Sequence, residues 1–133
     1  MSKTKRILLI ESPQLSSFES ELILRIGGYA VETCRELNMA LNRYSLYRNS
    51  ELKFDLIVAI VDFSQRQILE KFYHDGFIER LLLFHRDLSC RKAFCVTGDL
   101  TFVCHPGALL AGVNAALATK QVQITETIRG EKG

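Results

Sequence analysis

The run Leu56-Ile57-Val58-Ala59-Ile60-Val61 carries no polar side chain and is rich in β-branched residues, and Ile7-Leu8-Leu9-Ile10 and Leu81-Leu82-Leu83-Phe84 are likewise wholly apolar. Such runs are too short to cross a membrane and too uniformly apolar to leave one face in water. A strand of this kind must be covered on both sides, which is the situation of a parallel sheet held between two layers of helices. The covering layers have to come from the segments in between.

Those segments read as helices. Leu15, Phe18, Leu22 and Ile26 recur at helical spacing behind a capping box of Ser16 and Glu19, and Gly27-Gly28 supplies the stop. Tyr29 to Cys34 reads as a second strand, and Leu37, Ala40, Leu41 and Tyr44 mark a second helix, followed by a loop from Tyr47 to Lys53. After the central third strand, flanked by Asp55 and Asp62, the Ser64 and Gln67 pair predicts the cap of a third helix. That helix carries Ile68, Leu69 and Phe72 and ends near Gly76. Ile78 and Leu81 to Phe84 give the fourth strand. A short helix over Leu88 to Cys95, capped by Asp87, is expected before a fifth strand at Leu100 to Cys104. Ala108 to Ala118 closes the pattern as a helix with the stripe Leu109, Leu110, Val113 and Leu117.

A β-α unit repeated five times, with right-handed crossovers, predicts a flavodoxin-like doubly wound sheet. The expected form is five parallel strands in the order 2-1-3-4-5 inside a three-layer α/β/α sandwich. One domain over residues 1–120 and a polar tail over 121–133 account for all 133 residues. Seventeen Lys and Arg against fifteen Asp and Glu leave a net charge of +2 with no basic stripe, so direct nucleic-acid binding is not expected. No apolar run has the length of a signal peptide or membrane span, which predicts a cytoplasmic protein with no membrane partner. Cys34, Cys90, Cys95 and Cys104 lack CxxC spacing and read as reduced small hydrophobes.

Four motifs in order then resemble the receiver domain of bacterial response regulators, over about Lys5 to Ala118. Lys5-Arg6-Ile7-Leu8-Leu9-Ile10-Glu11-Ser12 is similar to the opening strand, and Gly28-Tyr29-Ala30-Val31 to the lead into the second. Phe54-Asp55-Leu56-Ile57-Val58 is similar to the third strand, and the run from Gly98 through Phe102 to His105-Pro106 keeps the closing spacing of glycine, aromatic and lysine-proline. The resemblance implies a Mg²⁺ site of paired acidic residues, a phosphoacceptor aspartate, a hydroxyl residue and a lysine. Carried over by position, these become Glu11 with Ser12, Ile60, His85 and His105. Ile60 has no nucleophilic atom, and Ser12 removes one anionic metal ligand. The resemblance therefore implies a degenerate pseudo-receiver, with Phe102 retained at the aromatic switch position.

The reading that follows is a non-enzymatic signalling module that works without phosphate, cofactor or metal, through protein contact. The expected surface is the one that receivers build from their fourth helix, fifth strand and fifth helix, here Arg86, Arg91, Lys92, Phe94 and Phe102, meeting a protein partner or a second copy. Two alternatives stand beside it. Asp62, two residues beyond Ile60, is an atypical phosphoacceptor if the register shifts, with Glu11 helping to hold Mg²⁺. His85 and His105, with Glu11, Asp62 and Cys104 at the same sheet edge, otherwise form a ligand- or metal-sensing pocket. Cys104 and His105 are strand neighbours pointing to opposite faces, which argues against a thiolate pair.

Overall fold

A computed structural model describes residues 4–12, 18–84, 94–97, 100–103 and 106–118, with backbone only at 18, 19, 94–97, 100–102 and 106. The elements are β1 (Arg6–Glu11), α1 (Phe18–Ile26), β2 (Ala30–Cys34), α2 (Leu37–Tyr47), β3 (Leu56–Ile60), α3 (Phe63–His74), β4 (Leu81–Phe84), β5 (Phe94–Thr97), β6 (Leu100–Val103), a 3₁₀ turn (Pro106–Ala108) and α4 (Leu109–Ala118). β1 to β4 form a parallel sheet in the order β2-β1-β3-β4, as the alternation predicts. β6 continues it in parallel beside β4, and β5 lies outermost, antiparallel to β6.

This corrects two expectations. The sheet of the described residues has six strands and is mixed, not five-stranded and all parallel. Phe94 and Cys95, assigned to the end of a helix over Leu88 to Cys95, belong to strand β5. Phe94-Cys95-Val96-Thr97 is aromatic and β-branched, and only the dipeptide Gly98-Asp99 separates it from β6, a pairing of types that favours a hairpin over a helix end. Residues 85–93 lie outside the described part.

The uniformly apolar strands place alternate side chains on two cores. Leu8, Ile10, Ile57, Ala59, Leu81 and Leu83 face α2 and α3, where Leu37, Ala40, Tyr44 and Leu69 cover them. Ile7, Leu9, Val58, Ile60, Leu82, Phe84 and Val103 face α1 and α4, under Leu24, Leu109, Val113 and Ala116. The three-layer expectation holds for this part of the chain, with α1 and α4 on one side and α2 and α3 on the other. Among the described residues no helix is long and apolar enough to cross a membrane.

Local chemistry fixes the joints. The backbone N–H of Arg6 donates to Asp55 Oδ2 at 2.8 Å and the N–H of Asp55 donates back to the Arg6 carbonyl at 2.7 Å, locking the amino ends of β1 and β3. The Arg6 guanidinium lies 4.5 Å from the Phe54 ring centroid and 5.7 Å from that of Tyr47, covering the same joint. At the end of α1, the N–H of Gly28 donates to Arg25 O and that of Tyr29 to Leu24 O, with Gly28 at φ +96°. Only glycine adopts that conformation without strain. The outer edge of β2 is covered by its own helix, since Arg25 Nη2 donates to the Val31 carbonyl at 3.0 Å.

Gly112 is where α4 comes closest to the sheet. A Cβ there overlaps Val103 Cγ2 and lies 3.2 Å from Leu82 Cδ1, and Val103 is β-branched in a packed strand with little freedom to move. Gly112→Ala is expected to destabilise the fold by about 1–3 kcal/mol, despite the better helix propensity of alanine. Urea unfolding checks this, with Gly107→Ala, where open space awaits a Cβ, as the comparison.

Candidate functional site

Glu11 ends β1 and Ile60 ends β3, and the two are register partners at the carboxyl edge of the sheet. The Ser12 N–H donates to the Ile60 carbonyl at 2.9 Å, so one further hydrogen bond extends the ladder past Glu11. Glu11 and Ser12 are each 4% exposed and Ile60 is 3% exposed. Three of the positions singled out by the receiver resemblance are thus gathered in one place. That place is packed, and the Ile60 side chain lies in the core shared with Leu9, Phe84, Val103 and Leu109.

Chemically, the described residues at the ends of β1 and β3 offer a buried carboxylate, Glu11, a hydroxyl, Ser12, and an aliphatic side chain, Ile60. A hard divalent cation is best held by several oxygens, and of the receiver's acidic pair only Glu11 is a carboxylate. The acceptor position, Ile60, supplies no side-chain oxygen.

Asp62 stands apart from this group. It is exposed, at the N-cap of α3, where one carboxylate oxygen accepts from the Gln65 N–H at 2.8 Å and from the Ser64 hydroxyl at 2.9 Å. The cap is therefore Asp62, with Gln65 three residues on, and not the expected Ser64 and Gln67. The Gln65 amide, followed by the Ser64 hydroxyl, holds the Asp62 carboxyl below the usual aspartate range. Asp55, which sequence reasoning used only to set the register, proves to be the lock on the opposite end of the β1–β3 ladder.

His85, His105, Arg86, Arg91, Lys92 and Cys104 lie outside the described residues, and Phe94 and Phe102 are placed by backbone alone, in adjacent strands with Phe102 paired to Cys95 and Leu83. Elsewhere at the carboxyl edge, Cys34 closes β2 and is buried. Desolvation pushes its thiol above the ordinary range, as expected for an inert core cysteine.

No protein-family model and no curated protein sequence matches this chain. Among solved structures it is similar to a ThiJ/PfpI domain protein from Brachyspira murdochii, with a TM-score of 0.50 and 14% identity, over 87% of this chain and 96% of that one. The likeness is one of fold. It supports an open α/β sandwich consistent with the flavodoxin-like class and carries no activity with it.

The capping role of Asp62 has a pH signature. Its folded-state pKa lies below the unfolded value, so its charge stabilises the fold above the unfolded pKa and that contribution disappears as pH falls through the folded one. Asp62→Ala is expected to lower Tm at neutral pH, while Asp62→Asn, which caps nearly as well, largely preserves it. The Tm difference between wild type and Asp62→Ala should shrink from about pH 5 to about pH 2, as scanning calorimetry across that range would register.

Proposed function

We propose that this chain is a receiver-like signal-transduction module that works without phosphorylation, by protein–protein contact. The observation that carries the reading is Ile60, packed in the core at the position where the receiver resemblance places a phosphoacceptor. Ser12 in place of an acid at the second metal position agrees with it. What is retained is scaffold: the Asp55 lock, the glycine turn at Gly28 and the two apolar cores are receiver-like features that serve folding and need no phosphate. A protein that keeps the scaffold and loses the chemistry has its surfaces left as the means of signalling.

The expected contact surface, built on Arg86, Arg91, Lys92, Phe94 and Phe102, changes in one respect. Phe94 belongs to strand β5, paired with β6 where Phe102 stands as expected, and not to a helix end. The partner proposed there is another protein.

The competing phosphoacceptor reading would use a carboxylate already engaged as the α3 cap, since Asp62 Oδ1 accepts both capping hydrogen bonds. Incubation with acetyl phosphate and Mg²⁺, followed by intact-mass measurement, is expected to leave the mass unchanged. A labile phosphoryl adduct that disappears in Asp62→Asn would sink the phosphate-independent reading.

A further inference from the structure

We draw no further inference here: the strongest candidate, the open groove along α3 lined by Phe63, Arg66, Gln67, Glu70, Lys71 and His74, carries none, because it is one face of a single helix on which Arg66 pairs with Glu70 at 3.5 Å, and nothing in the structure shows what covers it.

Discussion

The ladder between β1 and β3 holds the rest of this fold in place. Both strands are buried on both faces, so each of their backbone groups must find its partner within the sheet, because water is not there to replace one. The ladder continues past its regular register at both ends, through the Asp55 and Arg6 exchange at one and the Ser12 to Ile60 bond at the other. Every helix is hung from this pair or its neighbours. The two apolar cores are the two faces of the same plane, and a shift of one residue along it would exchange them.

The same constraint explains what the carboxyl edge has become. In an open α/β sheet this edge is where ligands gather, because helix N-termini and loop side chains converge there. Here the described ends of β1 and β3 bring Glu11, Ser12 and Ile60 together at that edge. Ile60 extends the core to the last residue of β3, so this strand ends on an aliphatic side chain where the resemblance would require a reactive one. Asp62, the nearest carboxylate in sequence, satisfies the first turn of α3, a demand that any helix beginning there would make.

Much of this was legible from the sequence, for particular reasons. Ile7 to Ile10, Leu56 to Val61 and Leu81 to Phe84 announce buried strands because uninterrupted apolar runs suit a sheet covered on both faces, and right-handed crossovers leave few topologies, among them the observed order of β1 to β4. The cap of α3 was misplaced because Asp62 and Ser64 both precede a Gln by three residues, and only the backbone decides which stands at the boundary. β5 was missed because Phe94 and Cys95 fit a helix end as readily as a strand start, although Gly98-Asp99 between two β-prone runs was the signal that distinguishes them. The pairing of Glu11 with Ile60 was implicit in the aligned motifs. That Ile60 is buried in the core was not, since its burial depends on Phe84, Val103 and Leu109 arriving from distant parts of the chain.

The guanidinium of Arg25 on the Val31 carbonyl gives the sheet a direction of growth. A strand approaching β2 would have to displace an arginine from the acceptor it needs, while Glu21, accepting from Thr33, stands over the same border. The sheet therefore has a barred margin at β2, and strand-wise accretion from that side carries an added cost before the first new hydrogen bond forms.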